Sequence, residues 1–185
     1  MAIIENQIKF SKNGKKIICR NALPEDAPLV LEFARQVLSD TPFMLLSIDE
    51  FLMTEEKEKK WLEGIMNSQD ELALILLHDQ KVVGFLDFHM TSNRRKIAHC
   101  GSFGMSVEKE YQNVGLGKIL LQKLFEWGKV HPTLEKISLE VHAKNHGAIA
   151  LYKKLGFIEE GRKIKALKFS ENNYDDIVLM YQWVK

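Results

Sequence analysis

A turn that contains two glycines is the first feature of the sequence that suggests chemistry. It lies between Val107 and Lys118, with Gln112, Gly115 and Gly117 in the pattern Gln-x-x-Gly-x-Gly, after a strand-like run and before an amphipathic helix pattern. Glycines let a backbone approach an anion closely, and the N–H groups of a helix N-terminus point towards that anion. The turn therefore predicts either a phosphate-binding loop or a loop that only starts a helix.

Two common phosphate-binding patterns do not fit this turn. A dinucleotide-binding fingerprint needs a third glycine at the position that Leu120 occupies. A Walker loop needs glycine at position 112 and serine or threonine at 119, where the chain has Gln112 and Ile119. A nucleotide-binding regulator is therefore disfavoured.

A second motif follows between Leu139 and Phe157. After a strand pattern come Asn145, the sequence Ala-x-x-Leu-Tyr that ends at Tyr152, and a Gly-Phe pair. Helical spacing places Tyr152 on one face with apolar neighbours at i, i+3 and i+4 relations, so its side chain is expected to point inward. The spacing alone leaves open whether Tyr152 is a core tyrosine or a reactive one.

The two motifs, in this order, resemble the GNAT family of N-acetyltransferases, and the likeness extends from about Lys16 to Lys185. The resemblance implies an α/β fold with a central, mostly antiparallel mixed sheet of about seven strands and helices on both faces. It also implies transfer of an acetyl group from acetyl-CoA, the cosubstrate, to a primary amine on a small molecule, an amino acid, a protein N-terminus or a lysine. A non-catalytic acetyl-CoA-binding sensor or partner module is the alternative.

The resemblance further implies that the loop binds the pyrophosphate and that the strand before it binds pantetheine. The cofactor-binding residues that it implies are Met105, Ser106, Val107, Gln112, Asn113, Val114, Gly115, Leu116, Gly117, Lys118, Asn145 and Tyr152. Asn145 would also cap the helix that carries Tyr152. Gly101 and Gly104 interrupt the strand, and a bulge there would separate it from the next strand and free backbone groups for the pantetheine amides.

Three side chains are candidates for proton transfer. By resemblance, Tyr152 is the general acid towards the departing thiolate. Glu140, twelve residues earlier, matches the proposed base of the ribosomal-protein alanine acetyltransferases, and His99 falls where other members place a base. A solvated strand glutamate and a structural histidine are the alternatives for these two. Neither Cys19 nor Cys100 has a base beside it in sequence, so direct attack of the amine in a ternary complex is expected.

Composition narrows the class of protein. The chain has 185 residues, 45% of them apolar and 28% charged, with a net charge of +1, which is typical of an ordinary globular protein and argues against nucleic acid as a partner. Two cysteines and the absence of zinc-ligand spacing predict a reducing, cytoplasmic location and no metal. The longest apolar run, Leu72–Leu77, is too short to span a membrane. Monomer and homodimer both remain open.

The pattern along the chain predicts an irregular extension over residues 1–15, before a single acetyltransferase domain over 16–185. Helices are predicted from Pro24 to about Ser39, over 55–67 with Thr54 as the cap, over 115–130 and over 146–155 with Gly156 as the C-terminal cap. Strands are predicted at 16–20, 72–78, 82–91, 97–107, 136–142, 157–169 and 176–185, with a hairpin turn at Asp79-Gln80.

Two stretches between these elements permit more than one interpretation. The connecting segment Thr41–Ser47 is apolar, so it either lines an acceptor pocket or packs as satellite core, and core packing is the expectation. The glutamates and lysines of residues 55–60 are expected to form a solvated helix face.

Overall fold

A single eight-stranded sheet organises the fold. The computed structural model describes residues 7–185. The strand order in the sheet is β1-β2-β3-β4-β5-β6-β8-β7. The strands are β1 Gln7–Phe10, β2 Lys16–Asn21, β3 Glu71–His78, β4 Lys81–Met90, β5 Cys100–Val107, β6 Lys136–His142, β7 Ile158–Ser170 and β8 Asn173–Trp183. The helices are α1 Ala27–Asp40, α2 Glu55–Asn67, α3 Leu116–Val130 and α4 His146–Lys154.

The sheet is mixed, as predicted. β1–β2, β2–β3, β3–β4, β6–β8 and β7–β8 pair antiparallel, whereas β5–β6 pair parallel. The additional strand is β1, whose Gln7 lies opposite Cys19 of β2. The expectation of an irregular N-terminal segment is therefore wrong for residues 7–10, while residues 1–6 lie outside the described part of the chain. The division into an extension and a domain at residue 16 stays a prediction.

Most predicted elements are confirmed, with changes at their ends. The hairpin turn between β3 and β4 has Asp79 at φ 48° and Gln80 at φ 66°, the left-handed values that a two-residue turn requires. Thr54 caps α2 by accepting a hydrogen bond from the N–H of Lys57. The strand predicted from Ile97 begins instead at Cys100, because residues 95–99 form a turn.

The chain divides into two compact units. The first ends at His89 and resumes with Gly104–Trp127. One apolar cluster in it combines side chains of α1, α2, β3 and β4, among them Phe33, Leu62 and Ile75. Phe88 of β4 makes an edge contact with Trp127 of α3. Burial of these apolar surfaces is the main source of stability for this unit.

The second unit contains Met90–Phe103 and Gly128–Lys185. Its longest ladder without a register shift pairs β6 with β8 from Lys136–Trp183 to His142–Ile177. Leu134, Ile137 and Met180 are fully buried. Among residues 7–185, no helix has the length and apolar character that crossing a membrane requires.

Candidate active site

The glycine-bearing turn is built as a strand–loop–helix connection in the first unit. The N–H of Glu108 donates to the carbonyl of Val83 at 3.1 Å and fixes the end of β5. The Gln112 side-chain amide donates to the carbonyl of Val107 at 3.0 Å and closes the loop from inside. Asn113 and Gly115 adopt left-handed backbone angles, with φ of 62° and 97°. A glycine is suited to position 115, because an L side chain there would be strained.

Helix α3 starts directly after this loop, at Leu116. The first N–H to bond back into the helix is that of Ile119, which donates to the carbonyl of Gly115 at 3.2 Å. The N–H groups of the first turn have no partner within a helix, and the helix dipole adds a partial positive charge at this end. The loop and helix start therefore have the donor chemistry that a pyrophosphate needs.

The turn between β1 and β2 supports the same loop. The backbone N–H of Lys12 donates to the carbonyl of Val114 at 2.9 Å. The Lys15 ammonium lies 4.2 Å from the ring centroid of Tyr111, and the Tyr111 hydroxyl is 3.0 Å from Nδ1 of His78. No local pattern predicts the roles of Lys12 and Lys15, because the loop that they contact lies about 100 residues away in the sequence.

The strand before the loop is held by β6 over only a short length. The parallel ladder comprises three pairs and ends at Ser102 opposite Ser138, although both strands continue. Loss of pairing in this region agrees with the separation expected from Gly101 and Gly104. Further along β5, the Ser106 hydroxyl lies 3.5 Å from Sδ of Met44, which places the segment between α1 and α2 beside this strand.

Tyr152 lies on α4 and is 6% exposed. Its ring packs edge-on against Phe103 at 5.9 Å and against Phe157 at 5.7 Å between centroids. Burial raises the pKa of the Tyr152 hydroxyl to about 12, so the hydroxyl carries its proton at every pH of ordinary assays. Among residues 7–185 this hydroxyl has no hydrogen-bond partner. It is therefore available as a donor to a ligand.

Asn145 begins the helix that carries Tyr152. Its side-chain oxygen accepts a hydrogen bond from the N–H of Ala148 at 3.2 Å, which confirms the predicted cap. Gly156 has φ of 94° and ends α4 in the left-handed conformation, also as predicted. The two ends of α4 thereby fix the axial position of the Tyr152 side chain.

The two sequence-predicted bases lie in the second unit in different surroundings. Glu140 is exposed on β6 and forms an ion pair with Lys163 of β7 at 2.5 Å. His99 lies in the turn before β5, with its ring stacked parallel to the Trp183 indole at 6.4 Å between centroids. Both residues make structural contacts here. Their catalytic roles stay predictions.

The segment between α1 and α2 is exposed and apolar, so the expectation that it packs as satellite core is wrong. Leu45 is 75% and Leu46 41% exposed. An open pocket of about 270 Å³ lies along this segment and the start of α2. Its lining residues are Leu46, Glu50, Phe51, Leu52, Met53 and Lys57. Contiguous exposed apolar side chains are typical of surfaces that bind a ligand or a partner.

The comparisons with known proteins agree with this architecture. The family model described as the acetyltransferase (GNAT) family matches residues 34–157. The L-amino acid N-acetyltransferase AaaT of Escherichia coli (strain K12) is 30% identical over 101 residues, which are 55% of this chain and 62% of that protein. The chain thus spans less than two thirds of the length of this relative.

Two solved structures share the fold. An acetyltransferase of the GNAT family from Streptococcus pneumoniae has a TM-score of 0.86 at 28% identity, over 91% of this chain and 99% of that one. The acetyltransferase yncA from Salmonella typhimurium, solved with its cofactor acetyl-CoA, has a TM-score of 0.79 at 17% identity, over 91% and 94% of the two chains. Because the family model covers more than half of the sequence, this chain belongs to the GNAT family of acetyltransferases.

Proposed function

We propose that the protein transfers an acetyl group from acetyl-CoA to a primary amine by direct attack in a ternary complex. The loop that ends in α3 carries this proposal. Its left-handed Asn113 and Gly115 turn the chain into α3, whose first N–H groups, those of Leu116, Gly117 and Lys118, have no backbone acceptor among residues 7–185. An anion with two phosphates satisfies these donors.

The remaining cofactor contacts follow the chain in both directions from this loop. Met105, Ser106 and Val107 offer backbone groups to the pantetheine amides, and a backbone N–H among them polarises the thioester carbonyl. Asn145 contacts the cofactor in addition to capping α4. Acetyl-CoA supplies an acyl group on a good leaving thiolate, and Tyr152 donates a hydrogen bond to the sulfur as that thiolate departs.

The acceptor must lose a proton before it attacks. A lysine-type amine has a pKa of about 10.4, so keeping it neutral near pH 7.4 costs roughly 4 kcal/mol, whereas an α-amine near 8 costs well under about 1.5 kcal/mol. A base is therefore required for the first class of acceptor and dispensable for the second. We expect no metal to take part.

The cytoplasmic location predicted from cysteine usage remains part of the proposal. Cys19 is buried, and burial raises the pKa of its thiol to about 11. Cys100 is partly buried, and burial raises its thiol pKa as well. Both thiols are therefore poor nucleophiles, in keeping with a mechanism that forms no acyl-enzyme.

Thiol release with an amine panel tests the function directly. The full-length protein is incubated with acetyl-CoA and, in turn, L-phenylalanine, spermidine, 2-phenylethylamine, a peptide with a free N-terminal alanine and a lysine peptide. Amine-dependent release of CoA thiol supports the enzyme. Acetyl-CoA binding by calorimetry, without release for any amine, would support the sensor module instead.

Gly117→Asp tests the cofactor site, because it puts a carboxylate in the first turn of α3, where the pyrophosphate is expected. We expect it to abolish acetyl-CoA binding. Gly64→Asp is the matched control, since a Cβ at Gly64 of α2 meets no atom within 4 Å. A folded Gly117→Asp protein with the parent affinity would contradict the site assignment.

A further inference from the structure

A buried carboxylate on α2 is unexplained by the fold. Glu58 shares the inward face of this helix with Leu62 and Ile65, at the spacing i, i+4 and i+7. It is 6% exposed, so the expectation of a solvated face over residues 55–60 is wrong at this position. Among residues 7–185 its side chain has no hydrogen-bond or ion-pair partner. Burial of an unpaired carboxylate opposes folding, although the first turn of a helix favours a negative charge, so Glu58 is a candidate for a functional role.

A group of charged side chains on β3 and β4 packs against the helix that carries Glu58, because the indole of Trp61, three residues after Glu58, lies 6.3 Å from the His89 ring between centroids. His89 is 2.9 Å from Glu71 through Nδ1 and 3.1 Å from Asp87 through Nε2. The hydrogen bond to Asp87, together with that to Glu71, outweighs burial and raises the pKa of His89 to about 9. The imidazolium is therefore charged at neutral pH. Two carboxylates, those of Glu71 and Asp87, face this one cation, so the group retains a negative charge.

Asp87 connects this group to β5. A Cβ built on Gly104 would lie 2.9 Å from Oδ1 of Asp87, so the carboxylate occupies the space that a side chain would fill. Alternation along the strand puts Ser106, which contacts Met44, on the same face as Gly104. The carboxylates and the apolar segment thus flank one face of β5, beside Met105–Val107.

The neighbouring charge that affects the pKa of Glu58 is the carboxylate of Asp87. Burial is the larger cause that raises the pKa of Glu58, and the negative charge of Asp87 on β4 is the second. The carboxylate of Asp26, before α1, is already bonded to Arg20. On α1 the Arg35 guanidinium lies 5.8 Å from the ring of Phe51, and Glu32 is exposed. A cation that entered between Glu58 and Asp87 would therefore meet two carboxylates.

We infer that Glu58 and Asp87 bind the ammonium form of the acceptor and that Glu58 takes its proton as the general base. This inference rests on the proposed function and specifies its acceptor as a primary amine with an apolar substituent. The ammonium lies at the carboxylates, and the apolar substituent contacts the exposed segment that begins at Met44. Asp87 positions the ammonium, and His89 holds Asp87.

The proton balance of the step is complete. The ammonium gives one proton to the Glu58 carboxylate and becomes a neutral amine. The nitrogen lone pair then forms the C–N bond at the thioester carbonyl, and the C–S bond breaks with its electron pair on sulfur. The nitrogen loses its second proton, the thiolate gains one, and Glu58 returns its proton to solvent. The products are the N-acetyl amine and the CoA thiol.

The first test compares Glu58→Gln with the parent on 2-phenylethylamine, or on the best substrate of the panel if this amine is inactive. We expect kcat/KM to fall by about 10²–10⁴-fold near pH 7, as is usual when a general base is removed. The loss should shrink as the pH approaches the pKa of the amine, because the neutral amine then forms without a base. Glu63→Gln, an exposed glutamate on the same helix, is the matched control and should keep the parent rate.

An acceptor that is already neutral separates proton removal from packing. With aniline, which is neutral at pH 7, Glu58→Gln should retain the parent rate within about threefold, because no proton need leave before attack. Equal losses for aniline and for 2-phenylethylamine would overturn the assignment as base. Asp87→Asn should raise KM for 2-phenylethylamine by about 10- to 100-fold, since a charge-assisted hydrogen bond is lost.

Stability provides a readout that does not depend on turnover. The pKa of Glu58 in the folded protein is above its ordinary value of 4.5. Between pH 4.5 and that raised pKa, the folded state therefore binds more protons than the unfolded state. The parent therefore loses stability relative to Glu58→Gln as the pH rises above 4.5. Glu58→Gln should melt higher than the parent at pH 7 and no higher at pH 4.

The outcomes for the two proposals are distinct. If the parent protein releases no thiol with any amine, the acetyltransferase function fails. If the parent is active and Glu58→Gln matches it on 2-phenylethylamine at every pH, the base assignment fails and the function stands. A Glu58→Gln protein that melts lower than the parent at pH 7 would also overturn the inference, because the carboxylate would then have a structural partner.

Discussion

Replacement of Tyr152 by phenylalanine isolates one hydroxyl group in a packed aromatic cluster. The ring contacts with Phe103 and Phe157 do not involve the oxygen, so they survive the change. Among residues 7–185 the hydroxyl has no partner that the substitution would leave unpaired. We therefore expect Tyr152→Phe to fold normally and to melt within about 2 °C of the parent, because no buried hydrogen bond is broken.

The pKa of the hydroxyl limits what it contributes to the rate. Burial raises it to about 12, whereas a thiol such as that of CoA resembles cysteine, near 8.5. Complete proton transfer from Tyr152 to the thiolate is therefore uphill by on the order of 5 kcal/mol. A hydrogen bond to the developing negative charge is worth about 1.5–3 kcal/mol, which corresponds to roughly 10- to 150-fold in rate. We expect kcat to fall by roughly 10- to 150-fold. Removal of a general acid that transfers its proton completely would lower it by about 10²–10⁴-fold.

Steady-state thiol release, calorimetry with acetyl-CoA and thermal melting together test this reasoning. The expected Tyr152→Phe protein has reduced kcat, nearly unchanged acetyl-CoA affinity and an unchanged Tm. Tyr181→Phe, which alters a half-buried tyrosine of β8, is the matched control. A Tyr152→Phe enzyme with the parent kcat would refute the catalytic role. A large fall in Tm with a near-normal kcat would show that the hydroxyl is structural.

Three further predictions concern neighbouring positions. Asn145→Ala removes the cap of α4 and should cost about 1 kcal/mol, a decrease in Tm of roughly 2–4 °C by circular dichroism. Glu140→Gln should keep the parent pH–rate profile, because Glu140 is paired with Lys163 at the surface; a loss concentrated at low pH would favour Glu140 as the base instead. Gly104→Ala should displace the Asp87 carboxylate and raise KM for a cationic amine several-fold in initial-rate assays, with kcat for aniline as the reference.

The motifs that depend on local sequence were predicted well. The cap at Thr54, the Asp79-Gln80 turn and the left-handed Gly156 each follow from residue types within a few positions. β6 was predicted at its observed bounds, because a buried strand with alternating apolar residues has a clear period. Local chemistry therefore determines most of the elements.

The features that the sequence did not predict depend on contacts between distant segments. β1 has only four residues, too few for their alternation of polar and apolar side chains to identify a strand, so its pairing with β2 identifies it. Glu58 lies among exposed glutamates and lysines, so a solvated face was predicted for it, and its helical spacing with Leu62 and Ile65 was the one weak signal for burial that this prediction did not use. The Asp87 carboxylate lies against Gly104 because β4 and β5 are aligned in the sheet, and no local sequence pattern specifies that alignment.

Burial raises the pKa of both proposed catalytic groups, and the same direction of shift suits each group to a different role. At Tyr152, loss of solvent raises the pKa of an acid that must stay protonated, so the hydroxyl remains a donor throughout the working range of pH. At Glu58, the same loss of solvent raises the pKa of a carboxylate that must accept a proton, so a weak base becomes a stronger one. The negative charge of Asp87 adds to the second effect, and no charged group is needed for the first. Acyl transfer to an ammonium group requires an acceptor for its proton and a hydrogen-bond donor for the departing thiolate, and Glu58 and Tyr152 have the protonation states that these two proposed roles require.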